Sequence, residues 1–145
     1  MDETNELLQI IYQDSYMACK NLESLLNEIK DKDNKIKSDI EDILKKYEYY
    51  LKETKKKLKS NKVKPRKVSY FAIMGAKMKM RKDIKKDNSD SKISDILIQG
   101  LVMGVIDINK RIDNYKKDVD KDLIKLCNNL LEFQQESIDK LKIYL

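Results

Sequence analysis

The chain has 145 residues, of which 39% are charged and 41% are hydrophobic, and it holds three glycines, one proline and no histidine. High charge with few helix-breaking residues is typical of long amphipathic helices rather than of strands and turns. The lack of histidine excludes the Ser-His and Cys-His catalytic sites, which need an imidazole near neutral pH. We therefore expect a single all-α domain over residues 1–145, with no enzymatic activity, no cofactor and no bound metal.

The hydrophobic spacing predicts five helices, at about residues 4–29, 35–58, 66–82, 91–117 and 121–144. The first two form an antiparallel pair, because only the short turn at 31–34 separates them. Asp33 is the expected N-cap of the second helix. Their inward residues recur every three or four positions: Ile11, Ser15, Ala18, Leu22, Leu25 and Ile29 in the first, and Ile36, Ile40, Ile43, Tyr47, Leu51, Thr54 and Leu58 in the second.

The segment between residues 60 and 90 is too interrupted for another long helix. Pro65 ends the second helix and suits the first turn of a short one, whose apolar side holds Phe71, Met74 and Met78. Antiparallel neighbours need connections of only about 2 to 8 residues. The link of some thirty residues therefore favours parallel second and third long helices with the link along the outside. A plain up-down-up-down order is the alternative.

The fourth predicted helix has the widest apolar stripe. One row contains Ile93, Leu97, Leu101, Gly104, Ile108, Ile112 and Tyr115, and a second row contains Ile96, Gly100, Met103 and Asp107. Gly100 and Gly104 are expected to face another helix closely, since each costs about 1 kcal/mol of helix propensity. The stretch is too short and too polar for a membrane span of about 20 residues, so no transmembrane segment is expected.

The last helix presents Leu123, Cys127, Leu130, Gln134, Ile138 and Leu141 to the interior. Four polar residues then fall near the midpoints of the four long helices: Ser15, Tyr47, Asp107 and Gln134. The first interpretation is a hydrogen-bonded core layer, because buried polar groups must be paired. The alternative is a small binding site or a relic metal centre.

Cys19 and Cys127 both lie on apolar stripes and have no metal-ligand spacing. Buried free thiols are the first interpretation, and a disulfide between neighbouring helices is the alternative. The N-terminal residues include Asp2, Glu3 and Glu6 where a signal peptide would be basic, so we expect a cytoplasmic protein.

Charge is distributed unevenly along the chain. Residues 45–86 have a net charge of +14, and the rest of the chain has −8. Such asymmetry indicates an anionic partner, either a polyanion or an anionic membrane surface. A solvated lysine-rich surface is the alternative. The cations expected to bind are Lys55, Lys56, Lys57, Lys59, Lys64, Arg66, Lys67, Lys77 and Arg81.

The chain resembles small uncharacterised ferritin-like proteins of Gram-positive bacteria in two respects. It has two predicted helical hairpins joined by a crossover, and it contains the stretch IQGLVMGVIDINK at residues 98–110. The resemblance implies a four-helix bundle with a crossover between the second and third long helices, and no assigned activity. Ferritin-like di-iron sites use two Glu-x-x-His motifs, and this chain departs from that pattern. Its nearest remnants are Glu132, Gln135 and Asp107.

The expected function is therefore that of a non-enzymatic helical bundle acting through its surface. It would associate with copies of itself, as a homo-oligomer, or bind an anionic partner weakly through residues 45–86. The alternative is a divergent ferritin-like metal-binding protein with a carboxylate-only or relic site.

Overall fold

The computed structural model describes residues 2–115 and 119–145, and within them the chain is all α-helical. Five helices follow one another, and a short 3-10 turn at Lys142–Tyr144 follows the last of them. The helices are α1 (Glu3–Glu28), α2 (Lys37–Ser60), α3 (Tyr70–Lys86), α4 (Asp90–Tyr115) and α5 (Lys121–Leu141). The predicted bounds of α1, α2 and α4 agree within two residues at each described end. Residues 116 and 117, predicted as the end of α4, lie outside the described residues.

The short helix α3 begins at Tyr70, four residues later than predicted, and also ends four residues later. The segment before it is held outside a helix by the buried side chain of Gln9. The Gln9 amide nitrogen donates to the Lys64 carbonyl at 2.9 Å, and its amide oxygen accepts from the Arg66 amide at 2.9 Å. This side chain replaces the hydrogen bonds that a helical turn would supply, which is why Pro65 does not start the helix.

Helix starts are capped in three places by nearby side chains. Asp2 accepts from the Asn5 amide at 2.8 Å, Ser89 from the Lys92 amide at 3.1 Å, and Asp120 from the Asp122 amide at 2.9 Å.

The prediction that Asp33 caps α2 was wrong. Ile36 occupies the N-cap position and has no side-chain capping bond. The preceding residues are instead tied to the start of α4: Asn34 donates to the Asp90 carboxylate at 2.8 Å, and the Lys35 amide donates to it at 3.1 Å. Because α2 and α4 begin side by side, they run in the same direction, as the long link led us to expect.

Packing joins α1 to α2 and α4 to α5 most extensively, with further contacts of α1 with α4 and of α2 with α5. The link lies against α1 and runs in the same direction. Arg66 pairs with Glu6 near the start of α1, and Arg81 pairs with Glu28 at its end. Ile84 is the only buried residue of α3, so this helix lies on the outside of the packed helices.

The predicted inward faces of α1, α2 and α5 are confirmed, with Ala18 and Leu51 only partly buried. In α4 the first row is buried at Ile93, Leu101, Ile108 and Ile112. In the second row Ile96 packs against the core, but the prediction was wrong for Gly100 and Met103. Met103 is 71% exposed. A methyl group added at Gly100 would meet nothing within 4 Å. One side of α4 therefore has no helix packed on it within the described part of the chain.

Gly104 behaves as predicted, because a Cβ there would come within 2.9 Å of the Gln134 amide nitrogen on α5. Cys19 and Cys127 are both buried free thiols. No helix in residues 2–115 or 119–145 is long and apolar enough to cross a membrane.

Candidate functional site

The polar layer predicted at the helix midpoints forms around Tyr47 and Gln134. Both are buried, and the Gln134 amide nitrogen donates to the Tyr47 hydroxyl at 3.2 Å. The Tyr47 ring stands edge-on to the Phe133 ring, with their centroids 5.1 Å apart. This aromatic contact and the hydrogen bond fix the register of α2 against α5.

Ser15 is buried as predicted, but its hydroxyl has no hydrogen-bond partner among the described residues, and the same holds for the Gln134 amide oxygen. Asp107 lies at the half-exposed edge of the layer rather than inside it. Its carboxylate pairs with Arg111 one turn later, at 3.4 Å. Of the four predicted residues, the structure thus joins Tyr47 to Gln134 directly and leaves Asp107 at the surface.

Asp14 was missed in the sequence because it precedes Ser15 on the outer side of the apolar stripe of α1. Its carboxyl group lies within hydrogen-bonding reach of Asp107 on α4. Partial burial, followed by the charge and the hydrogen bond of Asp107, raises the pKa of Asp14 to about 7, against a smaller opposing effect of Arg111. The fold thus brings a carboxyl group of α1 close to one of α4 at the edge of the polar layer.

The layer offers no activated nucleophile. Burial raises the pKa of Tyr47, Cys19 and Cys127 to about 12 in each case. These groups stay protonated near pH 7, whereas a reactive cysteine needs a lowered pKa. In the part of the chain that the structure describes, no three acidic or cysteine side chains are grouped so that they would hold a metal ion. The arrangement is that of a core polar layer.

The basic segment is divided by the fold between α2 and the link along α1. On α2, a shallow depression of about 490 Å³ is lined by three lysines, a tyrosine, a glutamate and a leucine, which are Lys45, Lys52, Lys55, Tyr49, Glu48 and Leu51. Tyr49 is 51% exposed, and its ring stands edge-on to that of buried Tyr50. Lys45 and Lys52 were not among the predicted binding residues, although their helical spacing to Lys55 and Lys59 signals one face. We call Lys45, Tyr49, Lys52, Lys55, Lys56 and Lys59 the α2 basic face.

The predicted binding cations are in three different states. Five are exposed: Lys55, Lys56, Lys59, Lys64 and Lys67. Lys57 and Lys77 are half-buried. The two arginines are engaged within the chain, since Arg66 donates twice to Glu6, at 3.0 Å each time, and Arg81 pairs with Glu28 at 2.8 Å. These ion pairs dock the link on α1, so the free cations are lysines.

Helix α3 turns two residues of its predicted apolar side, Phe71 and Met78, outward. Phe71 is 85% exposed and Met78 is 65% exposed. Met80 and Ile84, four residues apart, make the contact with the core instead. The periodicity located the apolar stripes of α3 but did not decide which of them faces inward.

Comparison of the chain with known proteins gives no matching family, no matching curated protein and no matching solved structure.

Proposed function

We propose that this protein is a non-enzymatic, cytoplasmic helical bundle that acts through its surface, by binding a polyanion weakly and by associating with copies of itself. The α2 basic face supports the first activity. It combines five lysines, all on one helix, with the half-exposed ring of Tyr49. Lysines attract phosphates without reading sequence, and an exposed aromatic ring offers a stacking surface for a base.

The charge distribution is the observation that carries this proposal. Residues 45–86 hold a net charge of +14, and the two arginines of this segment that pair with acids on α1 are not part of the α2 basic face. The five lysines of the α2 basic face are exposed, and none of them forms an ion pair with an acidic residue within the described chain. Their positive charge can therefore attract an anionic partner.

For the fold, we infer a four-helix bundle of α1, α2, α4 and α5 with the ferritin-like crossover. The packing pairs support it, because α2 and α4 each contact α1 and α5 and thus lie on a diagonal. We also propose that the chain shares this fold with ferritin-like proteins of Gram-positive bacteria. The metal-binding alternative has less support, since among the described residues no three acidic or cysteine side chains are grouped to hold a metal ion, and Asp107 is paired with Arg111.

Binding is tested with the full chain, a fluorescent duplex DNA of arbitrary sequence and a salt titration. We expect weak, sequence-independent binding that is lost by about 0.2 M salt, with a slope of about −0.9 in log K for each phosphate contact. The variant with Lys45, Lys52, Lys55 and Lys59 changed to glutamine should lose most of the affinity and flatten the slope.

The matched control removes the same charge elsewhere. Lys30, Lys32, Lys121 and Lys125 are exposed and lie outside residues 45–86, so their change to glutamine should leave most of the binding intact. Equal losses in both variants would show that net charge alone is responsible, and a wild-type protein that fails to bind at low salt would overturn the proposal.

The outward face of α3 favours a second candidate partner, an anionic membrane surface. Exposed Tyr70, Phe71 and Met78 share α3 with exposed Lys79, Lys82 and Lys85, and this combination suits a helix lying in the headgroup region. Flotation with vesicles of anionic phospholipid tests it. The Phe71→Ser, Met78→Ser double variant should lose vesicle binding but keep duplex binding. If the double variant floats as well as the wild type, α3 does not insert.

A further inference from the structure

We propose that the exposed face of α4 is a self-complementary surface on which a second copy of this chain docks antiparallel. This interface gives a form to the self-association proposed above and uses none of the α2 basic face. Its residues follow one another at helical spacing, in the order Asp95, Gln99, Val102, Met103, Ile106 and Lys110. Apolar side chains thus occupy the middle, with an acid before them and a base after them.

The apolar middle is exposed to an unusual degree for so charged a chain. Met103 is 71% exposed, Ile106 is 50% exposed, and Val102 also faces solvent. Asp107 is the only charged residue from Ile96 to Asn109, and Arg111 already pairs with it. Depletion of charge and enrichment in methionine mark the cores of protein interfaces.

Gly100 borders this face and is open, because a Cβ there would meet no atom within 4 Å. The glycine costs about 1 kcal/mol of helix propensity relative to alanine. No contact within the described chain requires a glycine at position 100. Gly104 differs, because it lies against Gln134. A second helix that approaches α4 closely would use the space that Gly100 leaves.

The order of charges selects the partner and its direction. In a two-fold pair centred on Met103, Asp95 lies eight residues before the axis and Lys110 seven residues after it. With a rise of about 1.5 Å per residue, Asp95 of one copy is level with Lys110 of the other in an antiparallel pair. A parallel pair would place Asp95 beside Asp95 and Lys110 beside Lys110, where like charges repel. The surface is thus complementary to itself only in the antiparallel sense, and an antiparallel pair related by a two-fold axis is an isologous contact that closes as a dimer.

The α3 face differs in this respect. Helix α3 carries exposed Lys79, Lys82, Lys85 and Lys86, and Asp83 is its one acidic residue, so two copies meeting there would bring like charges together. That difference is why the α4 face, rather than the α3 face, is assigned to self-association. A contact made by one helix is small beside the roughly 800 Å² per partner of a standard interface, so the dimer should dissociate on dilution.

The test measures the mass of the full chain by sedimentation equilibrium, after nucleic acid has been removed from the sample. Protein concentrations of about 10 to 500 µM suit a micromolar dissociation constant. The mass should rise with concentration from 17.2 kDa towards twice that value. The Met103→Lys and Ile106→Lys variants should stay at the monomer mass. Both positions are exposed, so these variants should retain the melting temperature of the wild type.

The register is tested by charge reversal. Asp95→Lys alone should shift dimerisation to at least several-fold higher concentration, and Asp95→Lys combined with Lys110→Asp should restore it. Glu41→Lys, which makes the same charge change at an exposed site on α2, should have no effect. A monomeric wild type, or a dimer that survives Met103→Lys, would overturn the α4 surface. Failure of the double reversal to restore the dimer would overturn the antiparallel register. Duplex binding is measured separately, so either result leaves the proposal for the α2 basic face to its own test.

Discussion

Gly100 and Gly104 occupy the same helix but have opposite surroundings, and this difference leads to a prediction for their alanine variants. Gly100→Ala adds a methyl group in open space, so it should raise the free energy of unfolding by about 0.5–1 kcal/mol through helix propensity. Gly104→Ala places its Cβ within 2.9 Å of the Gln134 amide nitrogen. The Gln134 side chain must then move away from the Tyr47 hydroxyl, and the lost hydrogen bond, worth about 1 kcal/mol, offsets the gain.

Urea denaturation at low protein concentration measures both variants without interference from self-association. Gly75→Ala is the control, because that position on α3 is also open and should gain stability as Gly100→Ala does. A Gly104→Ala variant that gains as much as Gly100→Ala would show that Gln134 is not held by Tyr47.

Asp14 gives a prediction about pH. Its pKa of about 7 in the folded chain lies above the usual value near 3.9, because partial burial and the neighbouring Asp107 disfavour its charge. The folded state therefore holds a proton between about pH 4 and 7 that the unfolded state has released. The contribution of Asp14 to the free energy of unfolding is therefore fully present below pH 4 and is lost as the pH rises to 7. Asn at position 14 carries no charge, so Asp14→Asn should be more stable than the wild type at pH 8.

The measurement is the free energy of unfolding in urea at pH 5 and pH 8. The difference between the two pH values should shrink in Asp14→Asn. Asp31→Asn serves as the control, since Asp31 is an exposed aspartate in the turn between α1 and α2, outside both this pair and the proposed α4 surface. An unchanged difference in Asp14→Asn would show that Asp14 titrates normally in the folded protein.

At the scale of the elements, hydrophobic spacing predicted the type and order of all five helices, and most of the inward residues of α1, α2 and α5. Spacing reports which residues share a face. It does not report how many faces of a helix are covered, so the second row of α4 was placed inside although Met103 is exposed. The same reason explains α3, where Phe71 belongs to an apolar stripe that faces solvent.

The start of α3 shows another limit. Pro65 was a sound local signal for a helix start, but Gln9, which is 55 positions away from Lys64, holds this segment extended. A contact of such sequence separation leaves no periodic trace in either segment. The same holds for Asn34 and Lys35, whose bonds to Asp90 take the place of the expected cap by Asp33. Local capping rules failed where a distant residue supplied the partner.

For the molecule as a whole, counting charged residues in the sequence was enough to locate the basic segment at 45–86. The structure was needed to show that its cations are distributed between α2 and the link along α1. The sequence could not show that Arg66 and Arg81 are engaged by Glu6 and Glu28, because those acids lie on α1. Lys45 and Lys52 join the α2 basic face through the depression around Tyr49. The sequence predicted that Tyr47 and Gln134 belong to the polar layer. It did not predict Asp14, which joins the layer only because the fold brings it close to Asp107 on α4.

The uneven charge leads to a last prediction, about salt and the stability of the whole chain. Residues 45–86 carry a net charge of +14 that repels itself on α2 and α3. Raising salt from 0.01 M to 0.1 M shortens the screening length from about 30 Å to about 10 Å. This weakens the repulsion and also weakens exposed ion pairs such as Arg66–Glu6, but such pairs contribute only about 0–1 kcal/mol each. Because the lysines without an acidic partner outnumber these pairs, the melting temperature should rise with salt.

The variant with Lys45, Lys52, Lys55 and Lys59 changed to glutamine should show a smaller rise of the melting temperature with salt. The control with Lys30, Lys32, Lys121 and Lys125 changed to glutamine should show the same rise as the wild type. A melting temperature that falls with added salt would mean that the ion pairs holding the link on α1 outweigh the repulsion within the basic segment.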